Sequence, residues 1–117
     1  MAEDIPTLID TIARNARQAS LDLNGASTQD KNDALQAIAR SLESNRKTLL
    51  EENKKDLDAA EENGLSDAMI DRLRLTHERI DGMAKGLRQL IDLPDPVGAL
   101  IEKKNRPNGL EIRKTRV

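Results

Sequence analysis

A chain of 117 residues and 13.0 kDa suffices for one domain, but with 37% hydrophobic residues and no Phe, Tyr or Trp its core must be packed by Leu, Ile and Ala alone. Charged residues reach 34% at a net charge of -2, which excludes both a polyelectrolyte and the high-net-charge composition of disorder. The lack of Cys excludes disulfides, thiolate metal sites and thiol nucleophiles, while Glu3, Asp4 and Pro6 do not fit a signal peptide and no apolar run approaches the roughly 20 residues of a membrane span, so a soluble, cytoplasmic protein is expected.

From Asp4 onward Ile5, Leu8, Ile9, Ile12, Ala13, Ala16 and Leu23 recur at helical spacing, and Asn24-Gly25 predicts the stop, with Gly25 taking a left-handed cap. Ser27 with Asp30 three residues on reads as a capping-box variant opening a second helix, whose face carries Leu35, Ile38, Ala39 and Leu42. Asn45 is the expected N-cap of a third, with Leu49, Leu50, Leu57 and Ala60 on one face, a Glu51–Lys55 pair at i,i+4, and a stop at Asn63-Gly64. Ser66 should cap a short helix bearing Met69, Ile70 and Leu73. Thr76 should cap a longer one with Ile80, Met83, Ala84, Leu87, Leu90 and Ile91, before Pro94 and Pro96 close the helical part.

Beyond Val97 the period changes to two. Ala99-Leu100-Ile101 leads through charged residues to Arg106-Pro107-Asn108-Gly109, and Leu110-Glu111-Ile112-Arg113 alternates, which predicts a β-hairpin with positive φ in the turn. Charge divides at the same place: residues before Glu102 carry 13 basic and 19 acidic groups, and Glu102 to Val117 carry 6 and 2. A two-stranded hairpin is marginal alone and its edges invite pairing, so it is expected to dock on something outside this chain.

Few side chains offer chemistry. The carboxylates of the stretch from Glu51 to Asp58, with Glu61 and Glu62, are interleaved with Lys54 and Lys55 at pairing distance and read as a solvated helix face. An EF-hand built on Asp56 and Asp58 fails because Glu61 stands where the turn needs Gly. His77, the one histidine, has no nucleophile or carboxylate assigned to it by sequence and is expected to be exposed after Thr76. Neither phosphate-binding glycine pattern is present, and Gly82 and Gly86, four apart on one helix, predict close approach of a neighbouring helix or strand. The basic tail (Lys103, Lys104, Arg106, Arg113, Lys114, Arg116) has no aromatic ring to stack a base, so strand-edge protection is preferred to nucleic-acid binding.

The runs from Asn63 to Leu73, Leu75-Thr76-His77-Glu78-Arg79-Ile80, Gly86-Leu87-Arg88-Gln89, Leu93-Pro94-Asp95-Pro96-Val97-Gly98 and Arg106-Pro107-Asn108-Gly109-Leu110 closely resemble the N-terminal region of the γ-glutamyl phosphate reductase family, within the aldehyde dehydrogenase superfamily. Ala16-Arg17, the run from Lys31 to Leu35, and Asn53-Lys54-Lys55-Asp56-Leu57 fit the same order, whereas His77 stands where Pro is expected. The resemblance implies a fold that is mainly α as given, about five helices plus a C-terminal hairpin, forming the N-terminal part of an α/β aldehyde-dehydrogenase-like enzyme. It places residues 1–97 in a cofactor-binding domain and residues 98–117 in an oligomerisation region of a homo-oligomer.

The complete enzyme would reduce L-glutamyl 5-phosphate to L-glutamate 5-semialdehyde with NADPH, in proline biosynthesis, through a cysteine thioester. Its cofactor strands and cysteine would lie beyond Val117. No catalytic, cofactor-binding or metal-binding residue is therefore assigned to this chain, which alone should be inactive, with no nucleic-acid or membrane partner. The competing expectation is a stand-alone helical interaction module that uses the hairpin edge or the basic tail.

Overall fold

A computed structural model describes residues 4–117. Five helices, α1 (Ile5–Asn24), α2 (Thr28–Ser44), α3 (Arg46–Glu62), α4 (Asp67–Leu73) and α5 (His77–Ile91), precede an antiparallel hairpin of β1 (Leu100–Asn105) and β2 (Glu111–Thr115). This is the helix count and the hairpin that periodicity and turn chemistry lead one to expect. The chain divides into two compact units: Lys31–Leu93, and the described residues up to Asp30 together with Pro94–Val117.

The helices after α1 are bounded mostly by the caps their sequence supplies. Ser27 Oγ accepts the Asp30 N–H at 3.0 Å and the Asp30 carboxylate accepts the Ser27 N–H at 3.4 Å, completing the reciprocal box that opens α2. Ser66 and Thr76 cap α4 and α5 by accepting the N–H groups of Met69 and Arg79. At the end of α3, Gly64 takes φ +71°, the Leu65 N–H donates to Ala60 O and the Gly64 N–H to Glu61 O. That pair of bonds reverses the chain at a position where an L side chain would be strained.

Asn45 departs from expectation. Its side chain does not cap α3, because its amide donates backwards to Ser41 O at 2.9 Å and approaches Ser41 Oγ at 3.3 Å. The Asn45 N–H closes α2 on Ser41 O and its carbonyl accepts the Leu49 N–H of α3. One residue at φ -98°, ψ 15° thus joins two helices, too short a link for the amide to swing round onto the N–H groups ahead of it. The Glu51–Lys55 pair is not formed either: Lys55 reaches Glu52 at 2.6 Å, and Glu51 is held by Lys47 at 3.8 Å.

The buried side chains are Ala39 of α2, Asn53 and Ala60 of α3, Ile70 of α4, and Ile80 and Ala84 of α5, with Ala39, Ile80 and Ala84 fully enclosed. Asn53 is the polar member of that core. It lies on the stripe of Leu49, Leu57 and Ala60, where its amide donates to Leu73 O at 2.9 Å and accepts the Leu75 N–H at 2.8 Å. One side chain thereby satisfies a donor and an acceptor of the α4–α5 link, as a peptide group would. Arg79 completes the corner, donating to the carbonyls of Asp71 and Arg74 and pairing with the Asp71 carboxylate.

The other unit has no buried residue. α1 starts as expected, with Pro6 in its first turn and the Asp4 carboxylate taken by the Thr7 hydroxyl at 2.7 Å. Its apolar face is exposed along its length; Ile9 and Ile12 keep 58% and 55% of their surface. Gly25 ends the helix right-handed at φ -87°, not left-handed, because its N–H donates to Asp22 O at 3.2 Å and the Ala26 N–H to Leu23 O at 3.0 Å without any reversal of hand. Thr28 donates its hydroxyl to the Asp95 carboxylate at 2.7 Å, tying the start of α2 to the segment before the hairpin.

Candidate functional site

The hairpin is the part of the chain whose chemistry is most open to a partner. Its turn runs Arg106-Pro107-Asn108-Gly109, closed by the Gly109 N–H on Arg106 O at 3.0 Å and by Asn108 Oδ1 accepting the Leu110 N–H at 3.1 Å. Positive φ is confined to Gly109, at +84°. Asn108 needs none, since its side chain makes the turn bond itself.

Lys103 pairs with Arg113, Lys104 with Ile112 and Asn105 with Glu111, while Leu100 opposes Thr115 and Glu102 opposes Lys114, so Ile101 is extra in β1 and makes a bulge. Every residue of both strands is exposed. Glu111 is held between Lys103, at 2.8 Å, and Arg113, and these two cations keep its carboxyl below the usual carboxylate range. Lys104 is similarly taken by Glu102 at 3.1 Å. Part of the basic tail is thus neutralised within the hairpin. Leu100, Ile101, Leu110 and Ile112 remain on the surface beside it.

The remaining candidates do not converge. Lys54 binds Asp58 at 2.9 Å and Lys55 binds Glu52, so the acidic stretch is a salt-bridged, exposed helix face. Among the described residues no group of three or more His, Asp or Glu side chains is placed to hold a metal. His77 sits exposed at the start of α5, with Arg46 approaching its Nδ1 at 3.4 Å and its carbonyl at 3.2 Å. Beyond their own helix, Gly82 and Gly86 have no atom of the described residues within 4 Å of where a Cβ would stand, so no described residue is the close neighbour that their spacing leads one to expect. A polar hollow bounded by Glu61, Asp67, Asp71 and Arg74 encloses about 380 Å3. No described helix is long and apolar enough to cross a membrane.

Two charge-assisted contacts join α5 to the helices before it, and sequence reading did not find them. Arg88 grips Glu43 with both guanidinium nitrogens, at 2.6 and 2.8 Å, and Arg46 grips Asp81. Each hydrogen bond from arginine holds its carboxylate below the usual range and raises the arginine in turn. Their partners are 45 and 35 residues apart, beyond any local spacing rule. Asn53 did leave a signal, as an amide on an apolar stripe.

Five helices followed by an exposed two-stranded hairpin are also the architecture of the N-terminal part of solved reductase structures. The crystal structure of gamma-glutamyl phosphate reductase from Thermotoga maritima matches 88% of this chain with a TM-score of 0.84 and 40% identity, using 25% of its own length. That of the Saccharomyces cerevisiae protein of the same name matches 88% with a TM-score of 0.81 and 34% identity, over 26% of its length.

The chain is therefore similar, over most of its length, to the N-terminal portion of proteins named gamma-glutamyl phosphate reductase. Curated relatives agree: the Desulforamulus reducens reductase is 47% identical over 109 residues and the Geobacter metallireducens one 50% over 109, each covering 93% of this chain. This chain spans about a quarter of the length of the relatives it matches (26% for both). No family model matches it.

Proposed function

We propose that this chain is the N-terminal part of an enzyme that reduces L-glutamyl 5-phosphate to L-glutamate 5-semialdehyde and phosphate with NADPH, the step resemblance assigns to proline biosynthesis. The observation that carries the reading is the match to reductases along 93% of the chain at 47% identity, in a fold superposable at a TM-score of 0.84. In this reading the polypeptide up to residue 97 packs around a cofactor-binding domain, and residues 98–117 join the oligomerisation region of a cytoplasmic homo-oligomer. The open edges of β1 and β2 and the uncovered apolar face of α1 support those roles, since both are surfaces a larger body would cover. NADPH and substrate would bind to residues that this chain does not contribute.

A chimaera tests this directly. With this chain in place of the matched quarter of the Desulforamulus reducens reductase, NADPH oxidation dependent on L-glutamyl 5-phosphate is expected, while the 117-residue chain alone shows none. A folded chimaera without turnover, or turnover by the isolated chain, would overturn the reading.

A further inference from the structure

Asn45 is the whole connection between α2 and α3, and the groups on either side of it are tied to the same face of α5. Glu43, two residues before the joint, is held by Arg88; Arg46, one residue after it, holds Asp81. Positions 81 and 88 lie seven apart, two turns on one helix face. We propose that Glu43, Arg46, Asp81 and Arg88 form a strap that fixes the angle of the α2–α3 joint, with α5 as the splint laid across Asn45.

Polarity makes the strap directional. The acid precedes the base across the joint and the acid precedes the base on α5, so only an antiparallel α5 matches both pairs. Turning α5 round would set Asp81 against Glu43 and Arg88 against Arg46, two like-charge contacts. His77 and Glu78 also face Arg46, adding a second acid on the side where Asp81 already holds it. Exposed ion pairs add little to global stability, so their effect lies in geometry: the fully buried Ile80 and Ala84 hold α5 against the core, and the strap selects one orientation of the helices around it. Opening the joint would also reshape the cleft of about 420 Å3 lined by Ile38, Ser41, Leu42, Asn45, Thr48 and Leu49.

The lack of cysteine lets the joint be measured in the 117-residue chain with spin labels at exposed positions on either side, through Ala34→Cys and Glu62→Cys. A single narrow distance distribution is expected. It should lose its narrow peak in Glu43→Gln with Asp81→Asn at unchanged far-ultraviolet helicity, and keep it in the control Asp58→Asn, which breaks a pair within α3 alone.

Exchanging all four charges (Glu43→Arg, Arg88→Glu, Arg46→Asp, Asp81→Arg) restores complementarity and should restore the peak. A narrow distribution in the neutralised chain would overturn the strap. If that chain instead loses helicity, the exchanged chain decides: recovery of helicity and peak supports the proposal, and a broad distribution there refutes it.

Discussion

Lys31–Leu93 and the segments that flank it are built from similar residues and end differently. Ile80 in α5 has no exposed surface, while Ile9 in α1, on an equally regular apolar face, keeps 58%. What separates them is company. α2 to α5 provide one another with a face, a bidentate Arg88–Glu43 pair, the Arg46–Asp81 pair and the Asn53 amide, whereas the apolar stripes of α1 and the hairpin stay exposed. A periodic apolar stripe states that a surface needs covering. It does not state by what.

The sharpest way to test that contrast is a matched pair of truncations. Ile80→Ala should cost about 3 kcal/mol, the usual loss for a fully buried Ile, whereas Ile9→Ala should change stability by less than about 0.5 kcal/mol, both read from urea unfolding of the isolated chain. Equal losses would show that α1 is as well packed as α5. Next in size is Asn53→Ala, which leaves Leu73 O and the Leu75 N–H without their partner and is expected to cost about 1–3 kcal/mol, with amide exchange quickening first at Leu75. A neutral result would mean that water replaces the amide.

Smallest is the response to acid. Glu43 and Asp81 are depressed in the folded chain by their arginines, so folding favours their ionised forms. That contribution is present above the ordinary carboxylate range of about 4 and is lost as pH falls through it. Glu43→Gln with Asp81→Asn should flatten the acid-side fall in the urea midpoint. Glu111→Gln, which removes a carboxylate that is also depressed but lies in the hairpin, should leave it unaltered. If Glu111→Gln flattened the curve too, the hairpin would be coupled to the unfolding of the helical core.

Much of this architecture was legible in the sequence, and for local reasons. Ser27, Ser66, Thr76, Gly64 and Gly109 act within a few residues of themselves, so each boundary they mark could be read from its own neighbourhood. Asn45 and Gly25 misled because the residue type suits a cap, while the backbone found other bonds: Asn45 turned its amide back to Ser41, and Gly25 stayed right-handed. Gly82 and Gly86 misled differently, no other element among the described residues coming close to them. The Glu43–Arg88 and Arg46–Asp81 contacts were invisible because they depend on where α5 returns, which no window along the chain contains. Function was legible only through resemblance, since hydrophobic period and turn chemistry describe helices and a hairpin without reference to substrate.

The division of the chain also has a consequence in time. Lys31–Leu93 is continuous, and its buried side chains, the bonds of Asn53 and the two arginine–carboxylate pairs all lie within it. The other unit is split, and the bond from Thr28 to Asp95 closes a loop of 67 residues, whose entropic cost grows only with the logarithm of its length but which cannot close until synthesis passes Pro94. A growing polypeptide would therefore have the whole of the middle unit synthesised before the Thr28–Asp95 bond can form.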